Sequence, residues 1–509
     1  MGTAMLKKFL AVAALVLAPA LVFAGDLSEE TKSCLSCHRG ITPGIVGDWE
    51  TSRHSRTSPA EAMQKPELER RMSAKEVDGR FLDKAVGCYE CHGQNTDKHK
   101  DNFNHYGYSI NVVVSPNDCR TCHPVEVRQY AGSKKANAVG NLSNNPVYHT
   151  LVKTIIGKKD AEGTTITQAD PSAYTRQETC YACHGTEIKV RGMKTVKSRL
   201  GPVQVPDLEN WPNQGVGRLN PDGSMGACTP CHARHAFSIR VAREPHTCSQ
   251  CHLEPDVPAW NVYSESKHGN IYHSLEREWD FDAVPWKLGK DFTTPTCAAC
   301  HNSLLVSAGG EVIAQRTHDF GARLWVRLFG LIYSHAQPKE GDTSIIRNAD
   351  GLPLPTTFLG EPASEYLIGP EEQAKRKGLM QGVCKGCHST SWVEAHFAKL
   401  DNTIEETDHM ILQATKLMTY AWENGLADNS NPFDEALEQK WVKQWLFYAN
   451  TTKYASAMTG AQDYTTFKYG WWGMTTNLQE MRDKIDLKLK AMKALEEYGD
   501  EEDEEGENE

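Results

Sequence analysis

All 16 cysteines of the chain fall into eight Cys-x-x-Cys-His pentapeptides, with none left over. They read Cys34-Leu-Ser-Cys37-His38, Cys88-Tyr-Glu-Cys91-His92, Cys119-Arg-Thr-Cys122-His123, Cys180-Tyr-Ala-Cys183-His184, Cys228-Thr-Pro-Cys231-His232, Cys248-Ser-Gln-Cys251-His252, Cys297-Ala-Ala-Cys300-His301 and Cys384-Lys-Gly-Cys387-His388. Two thiols at this spacing suit the two vinyl groups of one porphyrin, and the adjoining histidine can swing under the ring to bind the iron. Other chemistries explain less. Zinc sites pair Cys-x-x-Cys but do not demand a histidine after every second cysteine. A thioredoxin-like pair would occur once, and disulfides give no reason for eight histidines at one offset. The expectation is eight covalently bound haem c groups, each iron held from one side by a motif histidine.

Each such iron has a second axial position. Of the 20 histidines, the motifs leave His54, His99, His105, His149, His235, His246, His268, His273, His318, His335, His396 and His409. Bis-histidine ligation suits electron transfer, and twelve candidates are enough to close all eight irons. The count by itself therefore does not demonstrate an open, substrate-binding iron.

The elements that must position these ligands are partly legible. With 24% charged and 39% hydrophobic residues and a mean hydropathy of −0.54, the 509 residues describe a soluble globular protein rather than a polytopic membrane protein. The apolar fraction is modest for so long a chain, so macrocycles should fill part of the core and stability should depend on their insertion. The net charge of −11 is concentrated: the last 14 residues carry ten acidic and no basic side chains. The remainder is near neutral, without a basic stripe for nucleic acid, and the acidic block reads as a solvated, disordered tail. Lys7 and Lys8, the apolar run from Phe9 to Phe23 and the small residue Ala24 read as an export signal over 1–24, cleaved before Gly25. No later run is long and apolar enough for a stable membrane span; the stretch from Leu324 to Tyr333 is interrupted by Arg327. The mature protein is expected to be periplasmic or otherwise extracytoplasmic.

The ligand-bearing region spans 25–400. A helical region follows over 401–495, and the tail over 496–509. Within the helical region, apolar spacing predicts helices over Thr403–Glu423, with Asp401 or Asn402 as cap, over Glu435–Met458 and over Thr476–Glu497. The last carries a stripe of Leu478, Met481, Ile485, Leu489, Met492 and Leu495. The fold class is mainly α, a multihaem cytochrome c with a haem-filled core and long C-terminal helices.

The eight motifs in this order, together with Trp49-Glu-Thr-Ser-Arg-His54, Asn145-Pro-Val-Tyr-His149, Cys231-His-Ala-Arg-His235, Ser266-Lys-His268-Gly and Thr317-His318-Asp, resemble the octahaem hydroxylamine oxidoreductase family. The resemblance covers the chain between leader and tail. It implies that His54, His149, His235, His268 and His318 are distal ligands, with His105 (or His99) and His396 completing seven. It also implies a homotrimer built through long C-terminal helices, and an open iron at the fourth motif, on His184. There a small nitrogen compound would bind, beside an aspartate–histidine pair that handles protons. In the oxidising enzymes a tyrosine from a neighbouring subunit is cross-linked to that porphyrin.

Two departures bear on the reaction. The pair after the sixth motif reads Asp256-Val257, with valine in the expected histidine position, and valine transfers no proton. The cross-linking position, aligned on Gly470-Trp471, falls on Phe467, although a shift of a few residues would bring Tyr464 or Tyr469 to it. Without the cross-link, an iron supplied with electrons by the other haems should push density into nitrite, and a desolvated Asp256 could deliver protons. The favoured reading is reduction of nitrite or hydroxylamine, with His184 and Asp256 as the catalytic residues. A redox protein such as a small cytochrome or a membrane quinol oxidase module would be its partner. Hydroxylamine or hydrazine oxidation, carried by Tyr464 or Tyr469, is the second reading. A non-catalytic electron-transfer subunit, with a spare histidine or Lys134 or Lys135 closing the fourth iron, is the third; on a polar segment those two lysines read as solvated. Pyridine haemochrome quantification of the purified protein should return about eight haems per chain.

Overall fold

The computed structural model describes residues 26–506; the expected leader over 1–24 lies outside the described residues. The chain is mainly helical. Short helices and loops carry the motifs, and long helices gather at the C-terminal end. Helix α1 (Glu29–Ile41) is capped by Ser28, which accepts from the Thr31 amide, with Glu29 and Glu30 at its positive end and His38 and Arg39 at its negative end. The first motif lies inside it. The second, fourth and seventh motifs are each a single helical turn, Cys88–His92, Cys180–His184 and Cys297–His301. One turn is what the spacing needs, because residues three and four apart share a helix face, and both thiols and the imidazole then point the same way.

The turn carrying His184 ends at Gly185, whose φ is +98°. A side chain there would meet the Arg218 amide at 2.4 Å. Arg218 is fully buried and donates to Asn220 Oδ1, the Asn213 carbonyl and the Val114 carbonyl at 2.7–3.2 Å, fastening the fourth motif to the segment before the third. Strands contribute small pieces: an exposed hairpin over Lys158–Glu162 and Thr165–Ala169, and a longer ribbon of β1 (Lys189–Ser198) and β2 (Gly201–Glu209).

The C-terminal bundle is built on conventional packing. Helix α2 (Thr390–Glu423), α3 (Ala436–Lys443), α4 (Ala449–Met458) and α5 (Trp471–Gly506) form it. Ile411, Met418, Leu437, Trp441, Trp445, Met474, Met481 and Ile485 make one buried cluster. A second, aromatic cluster (Tyr272, Trp279, Phe281, Trp286, Phe292) lies against the seventh motif, with Trp286 stacked on Phe292 at 4.0 Å. Between α3 and α4, Gln444–Tyr448 form a π-turn, the kind of extra residue in a helix that often marks a functional wall.

The predicted helices are present with two corrections. Helix α2 begins at Thr390, capped by Ser389 rather than by Asp401 or Asn402, so it crosses the expected boundary at residue 400. Its first turns, with Val393, Phe397 and Leu400 buried, bear on the motif region rather than on the bundle, which hid them from a search for bundle periodicity. The acidic run expected to be disordered is helical through Gly506. Glutamate propagates a helix well, and the run continues one already started. Of the α5 stripe, Met481 and Ile485 are buried, Leu478 and Leu489 pack partly, and Leu495 is 72% exposed, so the stripe covers the core only at its start.

Trp441 is 2% exposed and donates from Nε1 to Thr415 Oγ1 at 3.0 Å. Replacing it with alanine should cost ~3–5 kcal/mol, read as a lower denaturation midpoint in far-UV circular dichroism.

Candidate haem and substrate site

Six of the motif histidines, His123, His184, His232, His252, His301 and His388, line one continuous cavity of about 2270 Å³. Pockets for single small ligands span roughly 300–1,000 Å³, so this space suits several large groups. Burial holds its histidines neutral, the form that ligates metal. It pulls His54, His232, His301 and His318 down to about 4 and His252 down to about 3. Several motif rings are also oriented by the nitrogen that would face away from an iron. His38 Nδ1 meets Thr42 Oγ1 at 2.9 Å, His92 Nδ1 the Asn111 carbonyl at 2.7 Å, and His184 Nδ1 the Ala138 carbonyl at 3.4 Å. Such contacts fix tautomer and direction, leaving Nε2 to the metal.

Four motif histidines face a second histidine. Ring centroids are 6.3 Å apart for His38 and His105, 6.3 Å for His123 and His54, 6.4 Å for His232 and His318, and 6.2 Å for His388 and His268. Two imidazoles bound at about 2.0 Å on opposite sides of one metal place their centroids roughly 6 Å apart, so these pairs fit a bis-histidine iron. His105 and His318 each keep a buried Nδ1 without a protein partner. His235 is electrostatically coupled to His92. His149 is exposed. His396 is separated from His388 by Trp392, which stacks on both rings, and its Nε2 lies 3.1 Å from the Ala457 carbonyl. Among the described residues, no histidine ring lies against His184, His252 or His301 at the paired distance.

The cysteines show how the motifs neighbour one another. Cys34 and Cys88 are coupled, as are Cys91 and Cys122, Cys231 and Cys248, and Cys300 and Cys384. The sulfurs of Cys119 and Cys228, Cys183 and Cys251, and Cys248 and Cys297 lie beside one another. In space the order is first, second, third, fifth, sixth, seventh, eighth, and the fourth motif branches from the sixth.

Around that branch the cavity wall carries Arg327, Asp256, Val257 and Tyr454, and Lys134 lies beyond Arg327. Burial raises the Asp256 carboxyl, opposed by backbone hydrogen bonds and by His184. Burial, with Arg327 opposing and Asp256 reinforcing, moves the Tyr454 hydroxyl up to about 12. Burial and Arg327 bring Lys134 down to about 8. The π-turn ahead of α4 sets this wall: Asn450 donates to the Asp256 carbonyl at 3.3 Å, and Tyr454 follows one turn later.

Three comparisons bear on identity. Residues 33–110 and 118–203 match the family model described as cytochrome c554 and c-prime, and residues 222–317 match that described as seven times multi-haem cytochrome CxxCH. A solved hypothetical multiheme protein is 43% identical, covers 92% of this chain and 97% of its own, and superposes with a TM-score of 0.85. The chain belongs to the multihaem cytochromes c. Its prosthetic group is covalently bound haem c. The Kuenenia stuttgartiensis reducing HAO-like protein complex Kustc0457/Kustc0458 shares the fold at 19% identity, with a TM-score of 0.60 over 92% of this chain and 87% of that one. A probable nitrite reductase-hydroxylamine oxidoreductase fusion protein of the same organism is 26% identical over 402 residues, which are 75% of this chain and 36% of that protein.

For this multihaem cytochrome the structure separates the two candidates near the second motif. His105 faces His38, whereas His99 donates to Asp101 and Asp118 at 3.1 and 3.2 Å. Lys134 and Lys135 are half-buried cavity residues rather than solvated ones, and with Arg327 and Tyr454 they are the site residues that motif spacing could not single out. Among the described residues no helix is long and apolar enough to cross a membrane. Tyr464 is 4% exposed, and its hydroxyl accepts from Lys468 at 3.1 Å; Phe467 and Tyr469 are exposed.

Although burial opposes charge on His99, its hydrogen bonds to Asp101 and Asp118 carry it up to about 10. A raised histidine contributes stability that is complete below its unfolded pKa of about 6.5 and lost as pH rises through the folded value. Melting temperature should therefore fall between pH 7 and pH 10, and His99→Gln should flatten that fall in thermal melts followed across pH.

Proposed function

We propose that this cytochrome reduces nitrite, or hydroxylamine as a later intermediate, at the iron held by His184, with haems at the other seven motifs relaying electrons. The observation that carries the reading is the cavity wall beside His184, where the Arg327 cation and the Asp256 carboxyl, whose charged form burial disfavours, both act on His184 and Tyr454. Cations draw and orient an anion such as nitrite, and offer nothing comparable to neutral hydroxylamine. The Asp256 carboxyl, raised by desolvation, and the Tyr454 hydroxyl would supply protons that reduction consumes. Val257 occupies the cavity wall where the oxidising pattern expects a second proton-handling group.

Haem c bound at the fourth motif would supply an iron able to take up the nitrogen compound and pass electrons to it. The chain then has three tasks. His184, fixed through Nδ1 to the Ala138 carbonyl, presents Nε2 to that iron. Arg327 would hold the anion's oxygens, and Asp256 would release its proton toward an oxygen leaving as water. Full reduction of nitrite to ammonium takes six electrons, which the neighbouring haems can store. Motif six, in contact with motif four through Cys251 and Cys183, is the point of entry. Export by the leader, a homotrimer and a small redox protein as donor complete the proposal; the Kustc0457/Kustc0458 neighbour is itself a complex.

Hydroxylamine or hydrazine oxidation is the second reading. The exposure of Tyr469, at 42%, leaves it free to reach a neighbouring subunit's porphyrin. A haem–tyrosine adduct in mass spectrometry of haem peptides would favour oxidation over reduction.

Asp256→Asn should lower kcat for nitrite reduction by about 10²–10⁴-fold, the range for a lost general acid. Arg327→Gln should mainly raise KM for nitrite while leaving hydroxylamine turnover little changed. Steady-state assays with reduced methyl viologen measure both; equal losses on the two substrates would count against the anion-binding role.

A further inference from the structure

Lys135 Nζ lies 3.5 Å from Nε2 of His252, the nitrogen that a sixth-motif haem iron would take. We infer that Lys135 is the distal ligand of that iron, so that the sixth motif holds a histidine/lysine-ligated haem among bis-histidine ones. The inference rests on the reading that the sixth motif carries haem.

Several features point the same way. Two donors at about 2.0 Å on opposite sides of a metal stand about 4 Å apart, close to the spacing seen. Among the described residues His252 has no histidine ring opposite it, unlike His38, His123, His232 and His388. Lys135 makes no ion pair with a carboxylate among the described residues, so its amine is not claimed elsewhere; its end sits 4.9 Å from the Phe320 ring, which shields it. The backbone is set to aim it inward. Ser133 Oγ donates to the Tyr130 carbonyl at 2.6 Å and accepts from the Ala136 amide at 3.3 Å, and Ser133 and Ala136 are both buried. Lys135, between them, reaches the same cavity that Cys248 and Cys251 line.

Position gives this ligation a use. The sixth motif touches the fourth, fifth and seventh through its cysteines. Axial ligand identity is a main lever on haem potential, and a saturated amine in place of an imidazole would set the junction that feeds His184 apart from the rest of the relay.

The test uses the haem-loaded protein. Near-infrared magnetic circular dichroism of the oxidised wild type should show a histidine/lysine charge-transfer band beside the bis-histidine band. Lys135→Ala should add one high-spin haem per chain in electron paramagnetic resonance and raise carbon monoxide uptake by the reduced protein by about one per chain. Lys135→His should return both to wild-type values and move the band to the bis-histidine position. With full haem content, a wild type lacking the band, or a Lys135→Ala variant with unchanged spin state and gas uptake, overturns the ligation. A Cys248–His252 peptide carrying no haem in mass spectrometry overturns the ligation together with the reading beneath it.

Discussion

Covalent attachment of flat macrocycles to single helical turns is the constraint on which the rest of this structure depends. Once two cysteines and a histidine on one turn are committed to a porphyrin, that turn can move only as the ring moves. The opposing ligand must then be brought to a spot within a fraction of an ångström of the iron axis. The chain satisfies this with short helices, capped turns and buried anchors such as Arg218, rather than with long regular elements. A dry void of the size its motifs enclose would cost, at roughly 24 cal/mol per Å³, more than the whole stability of an ordinary domain. The polypeptide is therefore a shell, and its conventional apolar clusters sit around the haem-lined space instead of inside it.

The spatial order of the motifs departs from their order in the chain. The fourth lies off the sixth as a side branch, while the others succeed one another. The fourth then has one neighbour, as do the two ends of the row, the first and the eighth. On the proposed reading, Arg327 and Asp256 beside the fourth would bind the substrate and manage its protons. Elsewhere in the row, His38, His123, His232 and His388 each face a second histidine.

The C-terminal bundle follows different physics. Its helices are joined by ordinary burial of leucine, methionine and tryptophan, and would make sense without any cofactor. Its link to the haem region is the π-turn at Gln444–Tyr448 and the helix that follows, which bring Asn450 and Tyr454 to Asp256. Helix α2 is the second link, buried at one end against the motif region and at the other in the bundle.

Ligand identity was a property of the sequence alone. Cys-x-x-Cys-His is a local pattern whose spacing is that of one helical turn, so no tertiary information was needed to read cofactor, motif boundaries or the class of fold. Amphipathic helices were legible for the same reason, since α3 and the start of α5 bury one face against one core, whereas α4 is buried around most of its circumference. Partners were another matter. Whether His99 or His105 faces His38 depends on which of two neighbouring side chains three aspartates draw away, and those carboxylates come from positions 101, 118 and 222. Nothing local marks Arg327, Tyr454 or Lys135 as cavity residues; each is placed by a loop or helix whose course is set by contacts far along the chain. Spacing within one turn is settled by the backbone's own geometry, whereas meeting across a cavity is settled by how the whole shell closes around its macrocycles.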